Sequence, residues 1–146
     1  AISGLSMGGH GAITLSAKHP ELFVTAGSMS GVMNIDTRMW KVGDDFRKIR
    51  LEGQKAMLGA INYDAPTFNP YTAVGLVDKI KENKLALIID CGVDDFLIED
   101  NRELHRRLDR DHGDSRLLHL HADGERPEAA ERAWSALLAL YRRRLT

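Results

Sequence analysis

The stretch Gly4-Leu5-Ser6-Met7-Gly8-Gly9-His10-Gly11 constrains this chain more than any other. Its G-x-S-x-G spacing is that of a strand turning sharply into a helix with a serine at the apex. The turn strains the serine backbone and crowds the positions two before and two after it. Side chains larger than hydrogen or methyl are therefore expected to clash at Gly4 and Gly8. The same turn aims the N–H of Met7 at the place where a carbonyl oxygen would become negative. Other glycine-rich turns fit less well. A Walker loop needs Lys-Ser or Lys-Thr after its last glycine, where this chain has His10-Gly11. A dinucleotide turn needs G-x-G-x-x-G, and Gly4-Leu5-Ser6 breaks its first step. On this reading Ser6 is a nucleophile, and the chain must supply a base and an acid that orients the base.

The residues on either side predict alternating strands and helices. Ala1 to Ser3 is a short piece of strand leading into the turn. Met7 to Lys18 reads as a helix whose Ala12, Ile13, Leu15, Ser16 and Ala17 pack closely on a sheet, ended by Pro20. Phe23 to Ser28 reads as a buried strand and Gly31 to Gly43 as irregular. Asp44 and Asp45 open a helix running to about Leu58, with acids at its positive end. Gly59 to Tyr71, with Pro66 and Pro70, reads as a loop, and Thr72 as the cap of a helix to about Asn83. Leu85 to Asp90 is continuously apolar, as a parallel strand covered on both faces should be. Cys91 to Asp95 is then the loop at its C-terminal end. Ile98 to Asp109 is helical, and Leu117 to His121 is another strand. A last helix begins at Pro127, with Ala130, Ala133, Trp134, Leu137, Leu138 and Tyr141 on its apolar side.

This order predicts an α/β fold, a parallel sheet with flanking helices. In such sheets the chemistry gathers beyond the C-terminal strand ends, where Ser6 and the Cys91–Asp95 loop both fall. At 146 residues the chain is read as a single domain. A formal charge of −1 gives no reason to expect nucleic acid or an anionic membrane as a partner. The histidines and acids lack metal-ligand spacing, so neither a metal nor a cofactor is expected. Trp40 lies in the irregular segment, where it either lines a substrate pocket or anchors the loop on the core.

Residues 1–108 resemble the esterase D-like (Putative esterase) family of the α/β-hydrolases. The resemblance rests on GLSMGGHGA at Gly4–Ala12, HPELF at His19–Phe23, NPYTAVGLVDKI at Asn69–Ile80 and IIDCGVDDFLIEDNRELHRRL at Ile88–Leu108. Residues 109–146 depart from the family pattern. The resemblance implies the C-terminal part of an α/β-hydrolase fold, and so a single partial domain. It further implies a serine carboxylesterase or acyl hydrolase acting on carboxylic esters or thioesters, sugar-linked esters included, through an acyl-enzyme on Ser6. Met7 N–H is then one half of the oxyanion hole, with the second donor expected before Ala1. Asp95 is the implied acid of the triad, with Asp94 its rival.

The triad order of this fold puts the base after Asp95. The family's G-x-H-x-W context is replaced here by Gly124-Glu125-Arg126-Pro127. Of the four downstream histidines, His105 is mid-helix, His112 sits in a charged turn and His119 lies inside the last strand. His121, at that strand's C-terminal end, is the candidate base. His10 precedes the acid, so its expected role is packing or hydrogen bonding behind the turn. Two alternatives share the scaffold: an inactive fragment or binding module, and an acyltransferase using the same site. The short first strand also leaves an expectation of an open sheet edge that pairs with another chain, such as a second copy, or with a segment not in this sequence.

Overall fold

The computed structural model describes residues 1–59, 61–109 and 116–121, with positions 135, 138, 139 and 142. Four strands form one parallel sheet in chain order: β1 (Ile2–Leu5), β2 (Thr25–Met29), β3 (Ala86–Gly92) and β4 (Arg116–His121). The helices are α1 (Met7–Lys18), α2 (Asp44–Leu58), α3 (Val77–Glu82) and α4 (Ile98–Asp109). The expected elements recur with shifted ends. β2 begins at Thr25 rather than Phe23, and the Gly59–Tyr71 loop closes in a 3-10 turn over Pro66–Tyr71. β3 carries Cys91 and Gly92 within the strand, so the loop beyond it starts at Val93. The Thr72 hydroxyl accepts from Gly75 N at 3.0 Å, but Thr72 is not the helix cap: Ala73 precedes a 3-10 turn (Val74–Leu76), and Leu76 precedes α3. The turn from Gly124 to Pro127 and most of the last helix lie outside the described residues.

Side-chain alternation decides what the sheet buries. The pairings Ile2 with Ala26 and Ala26 with Leu87 align one face of β1, β2 and β3. Ala26, Leu87 and Ile89 meet Ile13 and Ala17 of α1, Val77 and Ile80 of α3 and Leu104 and Leu108 of α4 in one buried cluster. α1 can lie close to the sheet because its buried residues are small: Gly9, Ala12, Thr14, Ser16 and Ala17 beside Ile13. Leu15, expected on that face, is instead turned outward, 46% exposed. A second cluster forms at the C-terminal end of the sheet, where Val32, Ile35, Trp40, Phe68 and Leu97 pin the connecting segments to one another. β1 lies at the edge of the sheet. No described helix is long and apolar enough to cross a membrane.

Candidate active site at the strand ends

Ser6 joins β1 to α1 with φ 55° and ψ −118°, a combination that non-glycine residues rarely adopt. Holding such a conformation costs roughly 1–3 kcal/mol, which the surrounding bonds must offset. Ser6 N donates to Met29 O at 2.9 Å, and His10 N closes the first helical bond to Ser6 O at 3.1 Å. The N–H groups of Met7, Gly8 and Gly9 precede that first bond, so they have no acceptor within α1 and sit at its positive end. Ser6 and Met7 are both exposed.

The crowding expected around the serine is one-sided. A Cβ on Gly4 would lie 2.3 Å from the Gly8 carbonyl carbon and 2.4 Å from its oxygen, a contact with backbone that cannot yield. A Cβ on Gly8 would meet nothing within 4 Å. The motif needs its first glycine because α1 turns back over β1 at that atom. At Gly8 itself there is room for a side chain.

The segment after β2 bridges the ends of β1 and β3. Val32 N approaches Ser6 O at 3.4 Å, while Ser30 N donates to Asp90 O at 2.7 Å with Ser30 at φ 44°. His10 Nδ1 bonds Val32 O at 2.8 Å, so Nδ1 is the protonated nitrogen and Nε2 an acceptor. Burial pushes the His10 imidazole below its ordinary value, keeping it neutral. His10 therefore ties α1 to the bridging segment, the expected role.

Asp95 is half-buried past the end of β3, and its Oδ1 accepts from Leu97 N at 2.9 Å. Asp94 is exposed. The His121 backbone pairs with Gly92 and that of His119 with Asp90, so the end of β4 lies beside the start of the Asp95 loop. Those two imidazoles, and His112 as a whole, lie outside the described residues. His105 is engaged on α4 with Asp109 at 3.2 Å. Among the described residues no hydrogen bond joins the Ser6 hydroxyl to an imidazole, and no cluster of ligands suits a metal ion.

Two features escaped the sequence reading. Asp100, in the acidic first turn of α4, is 1% exposed; its Oδ2 accepts from Trp40 Nε1 at 2.9 Å and Asn34 N at 3.3 Å. Its other oxygen is buried without a partner. Burial drives the Asp100 carboxyl up to about 7 against those two bonds, with Asp36 and Glu99 pushing the same way. The signal was present: Leu97, Asp100, Asn101, Leu104 and Leu108 follow the helical repeat of the buried stripe. The second feature is a cavity of about 580 Å³ beside the turn, lined by Met7, His10, Val32, Trp40, Gln54 and Met57 among others. Trp40 thus does both jobs open to it, walling the cavity and anchoring its loop.

Over residues 1–115 the chain matches the family model described as Putative esterase. Among curated proteins no relative matches. Among solved structures the chain is similar to a ferulic acid esterase, at 26% identity and TM-score 0.61, over 94% of this chain and 48% of that one. It is similar to FphF, a fluorophosphonate-binding serine hydrolase of Staphylococcus aureus, at 24% identity and TM-score 0.68, over 93% and 52%. A third similarity is to an S-formylglutathione hydrolase from Agrobacterium tumefaciens, at 25% identity and TM-score 0.59, over 84% and 40%. The chain spans about half the length, or less, of these structures. The shared architecture is that of α/β-hydrolase esterases.

Proposed function

Since the chain belongs to the Putative esterase family, we propose that it carries the nucleophile half of a serine esterase acting on carboxylic esters or thioesters. The observation that carries this reading is Ser6 itself: an exposed serine on a strained turn, beside the unpaired N–H groups that open α1. In the proposed reaction Ser6 Oγ bonds to the ester carbonyl carbon as an imidazole, that of His121, takes its proton. The carbonyl oxygen becomes negative at the N-terminus of α1, where Met7 N–H donates to it. Collapse breaks the bond to the leaving alcohol or thiol, which receives the proton. Water then repeats the sequence on the acyl-enzyme, releasing the acid and restoring Ser6. Asp95 accepts from the imidazole and holds its tautomer. An alcohol in place of water would turn the same site into an acyltransferase.

Three things support this reading: the family membership, the common strand-end position of Ser6 and the Asp95 loop, and the β4 register that sets His121 beside Gly92. The test is labelling by a fluorophosphonate probe, with Ser6→Ala as control. Labelling of the wild-type chain that disappears in Ser6→Ala is the expected result. A folded sample that takes no label at Ser6 would assign the chain to the binding-module alternative.

A further inference from the structure

The cavity beside the serine turn does not include Ser6. It runs along one side of α1, from Met7 and His10 to Thr14 and Lys18, and is closed by α2 and the Pro70–Tyr71 turn. At about 580 Å³ it falls in the range of small-molecule sites. Its wall is apolar: Met7, Val32, Ile35, Ile49, Met57 and Leu58 contribute, with Trp40 at the base. Most polar groups in that wall are already engaged inside the protein. Gln54 gives its amide to Ile35 O at 2.7 Å and accepts from the Tyr63 hydroxyl. Trp40 Nε1 is bound to Asp100, Thr14 Oγ1 donates to His10 O at 2.8 Å, and His10 Nδ1 is on Val32.

The charge left over is of one sign. Lys18 and Arg50 both line the cavity, and no aspartate or glutamate does. Among the described residues neither cation has an ion pair; Arg50 only rests over the Phe46 ring, 5.0 Å from its centroid. His10, neutral, adds no charge. An apolar wall with two exposed cations that have no ion pair suits an anion carrying an apolar tail. It repels a cationic amphiphile and gains nothing extra from a neutral one.

We propose that this cavity is a binding site for an amphiphilic monocarboxylate, with the apolar tail against Trp40, Ile35 and Met57 and the carboxylate between Lys18 and Arg50. The site does not depend on Ser6 being a nucleophile, because Ser6 is no part of its wall. Such a ligand is an acid of the class that ester hydrolysis releases, but its carboxylate would lie near Lys18, about three turns of α1 away from Ser6.

The test is calorimetric titration of the 146-residue chain with decanoate, decanol and decyltrimethylammonium. The expected order is decanoate tightest, decanol weaker by about tenfold, and the cation weakest, with the decanoate advantage shrinking as salt is added. The double variant Lys18→Glu/Arg50→Glu, both exposed positions, should abolish the preference for decanoate over decanol. Gly53 supplies a second variant: it lines the cavity from α2, and a Cβ there would meet nothing within 4 Å. Gly53→Phe should block all three ligands while leaving the circular dichroism spectrum unchanged. Ser6→Ala should bind decanoate as the wild type does, so loss of fluorophosphonate labelling and loss of this site are read separately. Equal binding of decanoate and decanol, no binding of either, or binding unmoved by Gly53→Phe would each overturn the proposal. So would self-association that blocks uptake and is broken by Met57→Lys, which would give the surface to a second copy.

Discussion

Asp100→Asn is the substitution with the most to say about how the strand ends are held. The Asp100 carboxyl sits behind the Asp95 loop, bonded through Oδ2 to Trp40 and Asn34, with Oδ1 buried and unpartnered. In the folded chain it stands at about 7 against an ordinary 3.8, so the folded form binds the extra proton between those values. The sign follows: this group's contribution is fully present below about pH 4 and is lost as pH rises through about 7. At about 1.4 kcal/mol per tenfold, the loss is on the order of 4 kcal/mol, reduced by whatever relaxation the 34–40 segment allows. His10 works in the opposite sense. Its imidazole is held below 6.5, so its contribution is present above that value and lost as pH falls.

The two effects partly cancel in the wild-type curve, so the informative quantity is the difference between two chains. An asparagine keeps an acceptor for Trp40 and Asn34 and cannot ionise. Urea unfolding of wild type and Asp100→Asn, followed by circular dichroism at several pH values, should give curves that diverge. The variant should be within about 1 kcal/mol of wild type near pH 4 and more stable by about 2–4 kcal/mol near pH 8. Curves that run parallel in pH, or a wild type that gains on the variant as pH rises, would refute the placement of Asp100 as a buried acid.

The glycines give sharper and cheaper tests. Gly4→Ala drives a methyl into the Gly8 backbone and should destabilise the chain by about 1–3 kcal/mol or more. Gly8→Ala meets open space and should lie within about 0.5 kcal/mol of wild type; equal losses at the two positions, by urea midpoint, would contradict the turn geometry. Gly53→Ala, in the interior of α2 with nothing near its Cβ, should raise stability by about 0.5–1 kcal/mol through the helix alone. A fall in melting temperature for that variant would show that α2 is packed there more tightly than the cavity allows.

Much of this architecture is legible in the chain. The G-x-S-x-G spacing fixes a strand–turn–helix, and the bounds of α1, α2 and α4 follow from Pro20, Asp44–Asp45 and the charged repeat after Ile98. The continuous apolar run before Cys91 marks β3 because a strand covered on both faces has no polar side to alternate with. What periodicity misreads is the partner. Leu15 has the composition of a core residue but faces away from the sheet, while Asp100 has that of a surface residue yet sits on the buried stripe of α4. Gly8 looks as constrained as Gly4 in the motif, and only the direction in which α1 leaves the turn separates them.

The structure also divides its labour between two kinds of packing. The strand ends that carry Ser6 and Asp95 rest on the core formed by α1, α3, α4 and the sheet, where side chains such as Ile13, Leu87 and Leu104 are wholly buried. α2 is seated differently. The only residue it fully buries is polar, Gln54, held by Ile35 O and the Tyr63 hydroxyl, while Ile49 and Met57 remain 70% and 77% exposed at the cavity. Arg47 adds bonds to the carbonyls of Thr37, Trp40 and Val42, and an element fixed by such hydrogen-bonded side chains can be displaced at less cost than one fixed by a close-packed core. The serine turn therefore keeps its geometry whatever α2 does. Gln54→Ala is the discriminating variant: it should raise amide exchange in α2 by about tenfold or more while leaving the exchange of α1 and β3 unchanged. Equal loosening of α1 would mean that the cavity wall and the serine turn form one cooperative unit.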